Sequence, residues 1–190
     1  HKGGLILDAN LMLSRYFDGK ALEMISLHGK MVAELSARIA IDAGLDTAEI
    51  CFVEEAAMLH DVGVCRVCAP EIGLCGSHPY IRHGVLGREI LESEGMPRHA
   101  LVCERHIGVG LTAEDIISQQ LPLPVRDMTP CGLAEEIICF ADLFYSKQPG
   151  RLEQQKSPDK VRRKLASYGG AKLQIFDRWF AAFGSSILGD

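Results

Sequence analysis

The chain has 190 residues, of which 47% are hydrophobic and 24% are charged, and its formal net charge is -5. This balance is typical of a globular chain with a sizeable core and excludes extensive disorder. The net negative charge disfavours non-specific binding to nucleic acid or to an anionic membrane, and we expect neither as a partner.

The cysteines and the start of the chain predict a cytoplasmic protein. The chain contains seven cysteines, an odd number, and several lie inside apolar helical patterns. Reduced thiols explain this usage most simply. The first residues lack the basic start, apolar core and cleavage site of a secretory signal. No apolar run approaches the roughly 20 residues that cross a bilayer.

Hydrophobic periodicity predicts an all-α fold with one domain, because apolar residues recur at three- and four-residue steps and useful β alternation is absent. The predicted helices occupy 5–17, 21–43, 46–60, 80–94, a segment from 97, 113–119, 133–144 and a C-terminal pair that begins at 158 and is interrupted at 169–170. The intervening segments 64–79 and 121–130 are predicted to be irregular, and the first is long enough to cover or shape a pocket.

An adjacent histidine and aspartate, His60 and Asp61, stand at the end of a predicted helix. The apolar stripe of that helix directs His60 inward. Four further residues occupy inward positions of other predicted helices: His28, His83, His106 and Asp142. A buried carboxylate is costly unless it is paired or metal-bound. Several imidazoles and two carboxylates therefore predict a site for a divalent ion.

These residues and their surroundings resemble the HD-domain metal-dependent phosphohydrolase superfamily, and within it the HDIG-type branch. The resemblance rests on His28, on Ala-Ala-Met-Leu-His-Asp-Val-Gly at 56–63 and on Ile-Ile-Cys-Phe-Ala-Asp at 137–142. The strongest local match runs from His83 through 104–110 to 122–124. It is similar to short HDIG proteins whose substrate is mostly unassigned.

The resemblance implies two divalent ions, which the sequence does not distinguish among Fe, Mn, Co, Mg and Zn. The ligands of the first ion would be His28, His60, Asp61 and Asp142. His83 and His106 would add the second ion, with Asp61 bridging both. The implied catalytic residues are Asp61, His83 and His106.

The implied reaction is cleavage of a small nucleotide or related phosphate ester by a metal-activated hydroxide at a dinuclear site. Arg105, Lys30 and His99 are the predicted substrate-binding residues. The HDIG branch often has a lysine directly after its signature, but Val64 stands there in this chain. The role of that lysine is therefore absent or filled by another residue.

The helical pattern, together with the resemblance, suggests a division of the chain into three parts. Residues 1–19 would form an N-terminal packing helix, 20–147 the HD metal-binding domain, and 148–190 a C-terminal helical extension packed on the same core. A homodimer is compatible with this organisation.

Two other functions share the same ligand pattern. One is that of the HD-fold mixed-valence di-iron oxygenases, such as myo-inositol oxygenase, and the other is a non-catalytic metal-binding regulatory module. A separate zinc-like spacing links Cys65, Cys68, Cys75 and His78, for which free thiols in a covering loop are the alternative interpretation.

Overall fold

The computed structural model describes residues 8–188, and within this range the chain forms ten α-helices and one two-stranded sheet. The helices are α1 Ala9–Leu13, α2 Gly19–Asp42, α3 Thr47–Leu59, α4 His83–Ser93, α5 Pro97–Arg105, α6 Ala113–Ser118, α7 Leu133–Asp142, α8 Pro158–Ala166, α9 Gly170–Phe183 and α10 Ser185–Leu188. The all-α prediction is confirmed. The first part of the predicted helix 5–17 lies outside the described residues.

The predicted loop 64–79 has more regular structure than its sequence indicates. Two short 3₁₀ helices, Val62–Arg66 and Pro70–Ile72, flank strand β1 Cys68–Ala69, which pairs antiparallel with β2 Leu74–Cys75. Strands of two residues have no alternation to recognise, so hydrophobic patterning does not reveal them.

The long helix α2 connects two hydrophobic clusters. Val32 and Leu35, on its C-terminal half, pack with α3, α7 and the C-terminal helices. Met24 and Ile25, on its N-terminal half, pack with α1, α4 and α5. His28 stands on α2 between these two sets of residues. The predicted ligands therefore gather where the two clusters meet.

Two glycines permit the close backbone approaches that set the ligand positions. A side chain at Gly29 would place its Cβ 2.8 Å from the backbone oxygen of Met58, so α2 and α3 approach closely beside His28. A Cβ on Gly63 would lie 1.9 Å from the backbone oxygen of His83. The glycine that follows the His-Asp pair therefore lets the start of α4 lie against that pair.

The C-terminal helices pack on the cluster that contains α7. The Phe140 ring of α7 lies 5.7 Å from the Phe176 ring and 5.5 Å from the Phe183 ring of α9, between centroids. Trp179 is also buried in this cluster. The predicted division at residue 147 falls in the connection between α7 and α8. None of the described helices combines the length and apolar character needed to cross a bilayer.

Candidate metal centre

The structure brings all six predicted metal ligands together. His28 comes from the middle of α2, and the others lie at or next to helix ends: His60 and Asp61 after α3, His83 at the start of α4, His106 after α5 and Asp142 at the end of α7. The four histidines and Asp61 are buried, and the side chain of Asp142 is 16% exposed. The cluster can therefore be reached from one side.

Asp61 lies between two groups of imidazoles. Its Oδ2 atom is 3.3 Å from Nε2 of His28 and 3.2 Å from Nε2 of His60. Its Oδ1 atom is 3.4 Å from Nε2 of both His83 and His106. One carboxylate thus presents a different oxygen to each group, which is the arrangement that a bridging ligand requires.

Asp142 completes the group that contains His28 and His60. Its Oδ1 atom is 2.9 Å from Nε2 of His28 and 3.3 Å from Nε2 of His60. Two sets of donor atoms, each with members within 4.8 Å of one another, are able to hold a metal ion. One comprises His28, His60 and Asp142, and the other comprises His60, Asp61 and His106.

Backbone carbonyls orient three of the imidazole rings. Nδ1 of His60 lies 2.5 Å from the Ala57 oxygen, and Nδ1 of His83 and His106 lie 2.7 Å from the oxygens of Tyr80 and Cys103. Each carbonyl belongs to the residue three positions earlier. A carbonyl can only accept, so Nδ1 carries the proton and Nε2 faces the cluster, as in metal-ligating histidines.

The donor set fits a metal ion by a second criterion. Nε2 of His60 and Oδ1 of Asp61 are buried and make no hydrogen bond of good geometry among the described residues. Other atoms of the cluster nevertheless lie 3.2–3.4 Å from them. Buried polar atoms are usually hydrogen-bonded, and an ion is one accepted reason for an exception. Both orphaned atoms belong to the His-Asp pair and point toward the other imidazoles.

Lys147 is a member of the site that the sequence prediction missed. Its Nζ atom donates to Oδ2 of Asp61 over 2.8 Å. Lys147 lies five residues beyond Asp142, so the end of α7 delivers both side chains. Val64, where the HDIG branch often has lysine, is fully buried. An ammonium group thus reaches the His-Asp pair from a different element.

The charges of the cluster balance in the protein alone. Burial opposes ionisation of His60, but Asp61 and Asp142 outweigh it and raise the pKa of His60 to about 10. Burial would raise the pKa of Asp61, yet His60 and Lys147 hold it well below its usual value. Burial and the Lys147 ammonium lower the pKa of His83 to about 3, so this imidazole is neutral and able to bind a metal.

A cavity of about 750 Å³ opens onto the cluster. His28, His83, His106 and Asp142 lie in its wall, as do backbone segments around Gly108 and Gly110. Six cationic side chains also line it: Lys147, Arg151, Lys156, Lys160, Lys164 and Lys172. Asp142 is the one carboxylate among the described lining residues, so the cavity is suited to an anion.

The three predicted substrate-binding residues are not brought to this cavity. Nη1 of Arg105 lies 3.0 Å from Glu135, and the exposed Lys30 lies 3.7 Å from Glu34. Nε2 of His99 lies 3.1 Å from Glu55. None of the three lines the cavity. Five of the six cationic residues that do line it lie within 148–190, which the sequence prediction treated only as a packing extension.

The zinc-like spacing does not produce a preformed ligand cluster. Cys68 and Cys75 are opposite one another in the short sheet, and Cys65 is partly buried. The two groups of donor atoms able to hold a metal, found among residues 8–188, contain none of the four predicted residues. All seven cysteines are free thiols.

Comparison with solved structures identifies the architecture. The chain superposes on the HD domain of phosphodiesterase PgpH from L. monocytogenes with a TM-score of 0.52, at 15% identity, over 98% of this chain and 100% of that one. A second structure shows the same domain in complex with cyclic-di-AMP. It gives a TM-score of 0.52 at 19% identity, over 96% of this chain and 89% of that one. The chain has the HD-domain fold. The resemblance seen in the sequence is thereby confirmed at the level of the fold.

Curated relatives share parts of the sequence, whereas no family model matches. An uncharacterised protein of Methanocaldococcus jannaschii is 41% identical over 86 residues, which are 45% of this chain and 43% of that protein. A tRNA (cytidine(56)-2'-O)-methyltransferase of Thermoplasma volcanium is 30% identical over 161 residues. The match covers 84% of this chain and 43% of that protein. The chain therefore spans less than half the length of these two relatives.

Proposed function

We propose that the protein is a metal-dependent phosphohydrolase that cleaves a small nucleotide or related phosphate ester at a dinuclear site. The observation that carries this proposal is the position of Asp61, whose two oxygens face two different groups of imidazoles. His28, His60 and Asp142 would hold one ion with Asp61, and His83 and His106 would hold the other. Bound divalent ions supply Lewis-acid chemistry, which lowers the pKa of water and neutralises phosphoryl charge.

The residues of the chain prepare the site for this reaction. The carbonyls bonded to His60, His83 and His106 keep each Nε2 directed at the cluster, so no ring has to reorient when an ion binds. Lys147 lies in the cavity wall and holds Asp61 by a charge-assisted hydrogen bond. Its ammonium group is also available to a phosphoryl oxygen of the substrate.

The cavity supports a phosphate ester over the uncharged substrate of an oxygenase. Six cations line it, of which Lys147 pairs with Asp61 and Lys172 with Asp115. An uncharged molecule would leave the other four without a carboxylate partner among the described residues. The structural neighbour with bound cyclic-di-AMP shows that an HD-fold domain accommodates a nucleotide. Both observations favour the hydrolase among the alternatives that share this ligand set.

The similarity to tRNA methyltransferases does not change the proposal. The shared region is 43% of the Thermoplasma volcanium protein, so the activity in that name belongs to a longer chain. Buried imidazoles and carboxylates that face one another are suited to hold metal ions. Such ions activate water for hydrolysis. We therefore propose hydrolysis for this region.

Metal analysis followed by an activity screen tests the proposed function. Protein purified without chelator is expected to contain about two divalent ions per chain, as two-metal sites do. It should release phosphate from members of a nucleotide panel under anaerobic conditions with Mn, Fe, Co, Mg or Zn. Dioxygen uptake by an iron-loaded sample without anaerobic hydrolysis would favour the oxygenase instead.

Replacing Asp61 with alanine should abolish hydrolysis and reduce bound metal to near zero, because both ions lose a shared ligand. Asp61→Asn, which keeps the shape of the side chain, should lose activity as well. Glu23→Ala on the exposed face of α2 is the matched control and should keep both properties. Circular dichroism checks that all three variants fold. Full activity in Asp61→Ala would refute the two-metal model.

A further inference from the structure

Part of the cavity wall carries a row of lysines near the start of α8. Lys156 directly precedes the N-cap residue Ser157, and Lys160 and Lys164 line the cavity from successive turns of α8. Residues four apart lie on the same face of a helix, about 6 Å apart along its axis. The cations therefore extend along the cavity instead of converging on one point.

These lysines have no acidic partner in the part of the chain that the structure describes. Within residues 8–188, no carboxylate oxygen lies within 4.0 Å of Lys156, Lys160 or Lys164, which are absent from every ion pair. By contrast, Arg162 on the same helix pairs with Asp177, and Lys172 in the cavity wall pairs with Asp115. The positive charge of the row is thus left uncompensated by the protein.

Lys156 shows the electrostatic cost of this arrangement. It is half-buried, and its Nζ atom donates to the backbone oxygens of Leu143 at 3.4 Å and Tyr145 at 3.2 Å. Burial lowers the pKa of Lys156, and repulsion from Lys164, Lys160 and Lys147 lowers it further, against attraction from Asp142. Cations crowded in a cavity are typical of a site whose ligand brings several negative charges.

Resting on the proposed phosphohydrolase function, we infer that Lys156, Lys160 and Lys164 bind the additional phosphates of a nucleotide that carries more than one phosphate group. The scissile phosphate would lie at the metal ligands, and the others would extend along α8. Tyr80 and Tyr168, which are exposed and line the cavity, are the candidates to stack on a base.

The size of the cavity fits a small molecule. Its volume of about 750 Å³ lies within the range that drug-sized ligands and cofactors occupy. The formal net charge of -5 is unfavourable for a long nucleic acid outside the cavity. A nucleoside diphosphate, a triphosphate or a dinucleotide satisfies both conditions.

Equilibrium binding of ADP and AMP tests this inference without relying on turnover. Titration calorimetry would use the full chain after its metal has been removed with a chelator and the chelator dialysed away, which prevents metal-dependent hydrolysis. The parent protein is expected to bind ADP about tenfold more tightly than AMP, since an additional phosphate gains charge-assisted hydrogen bonds. Lys160→Gln with Lys164→Gln should remove most of that difference.

The matched control removes two charges from positions outside the cavity wall. Arg163 and Arg178 are exposed on α8 and α9 and do not line the cavity. Arg163→Gln with Arg178→Gln should therefore keep the preference for ADP. Equal affinity for ADP and AMP in the parent, or an unchanged preference in the lysine variant, would overturn the inference.

The two proposals fail in different ways. A preference for ADP that depends on the lysines, combined with no hydrolysis in the metal screen, would support the nucleotide site and overturn the phosphohydrolase function. Metal-dependent hydrolysis without a preference for ADP would keep the function and overturn the role of the lysine row.

Discussion

At the scale of single residues, the site depends on where a few side chains place their charge. Asp61 connects the two imidazole groups because each of its oxygens faces a different group. In the protein alone, two positive charges balance Asp61 and Asp142: the ammonium group of Lys147 and the imidazole of His60, which is protonated because its pKa is raised. Bound metal ions would take over that charge balance. Because the ligands form two groups around Asp61, replacing a ligand that belongs to one group should reduce the metal content less than replacing Asp61.

His83→Ala should reduce the bound metal from about two ions per chain to about one, because His83 contacts only the Oδ1 side of Asp61. Elemental analysis of purified protein measures this directly. His99→Ala is the control, since His99 lies against Glu55 and Phe52, outside the cluster. An unchanged count in the His83 variant would contradict its place in the second group.

At the scale of elements, the ligands are positioned by close helix contacts and by caps. The turn after α3 lies against the start of α4 at Gly63, which sets His83 beside Asp61. Farther along the chain, Asp115 caps α6 and also bonds to Lys172 of α9. This bond connects the segment after His106 to the C-terminal helices.

Gly63→Ala should destabilise the protein by about 3 kcal/mol or more, because its Cβ would meet backbone atoms that cannot move independently. Urea denaturation followed by circular dichroism measures the change in the free energy of unfolding. Gly170→Ala, at the start of α9 with open space around it, should change that free energy by about 1 kcal/mol at most. Equal stability of the two variants would contradict the close backbone approach of His83 and Gly87 to Gly63.

Asp115→Asn should reduce the free energy of unfolding by about 1–2 kcal/mol at neutral pH, through loss of a charge-assisted bond to Lys172. Burial would raise the pKa of Asp115, but the bonds from Lys172 and Thr112 lower it below the ordinary value of 3.8. A lowered carboxyl pKa stabilises the fold fully above that ordinary value, and this contribution disappears as the pH falls through the folded pKa.

The difference between Asp115→Asn and the parent protein should therefore shrink in denaturation curves recorded below pH 3.8. Glu114→Gln, an exposed neighbour in the same helical turn, serves as the control and should keep the stability of the parent protein at neutral pH. A difference that stays constant with pH would contradict the role of the Asp115 charge.

At the scale of the whole molecule, the C-terminal helices share a hydrophobic core with α7 and also supply part of the cavity wall. Phe176, Trp179 and Phe183 are buried with Phe140 and Phe144. Lys156, Lys160 and Lys164 line the cavity from the same segment. The segment proposed as an extension thus contributes both to packing and to the surface that a substrate would contact.

Thermal unfolding should consequently be one cooperative transition, because separating α9 from α7 exposes aromatic side chains of both. Trp179 is the single tryptophan, so its fluorescence reports on the C-terminal helices, while far-UV circular dichroism reports on all helices. The two midpoints should coincide. An earlier fluorescence transition would show that 148–190 unfolds separately from the rest of the chain.

The sequence by itself determined the helical fold and the six candidate metal ligands. Each ligand stands on an apolar stripe or at a helix end, and helical periodicity makes such positions recognisable without knowledge of the contacts. The His60–Asp61 pair was especially informative, because the glycine that follows it marks the end of a helix.

Only the tertiary structure decided which charged residues reach the cavity. Lys147 contacts Asp61 although 86 positions separate the two residues. Arg105 adjoins His106 in sequence and pairs with Glu135 instead. The direction of an exposed cation depends on how distant helices pack, and no local periodicity records it. The sequence thus specified the residues of the candidate metal centre, and the packing of the C-terminal helices decided the shape and charge of the cavity above them.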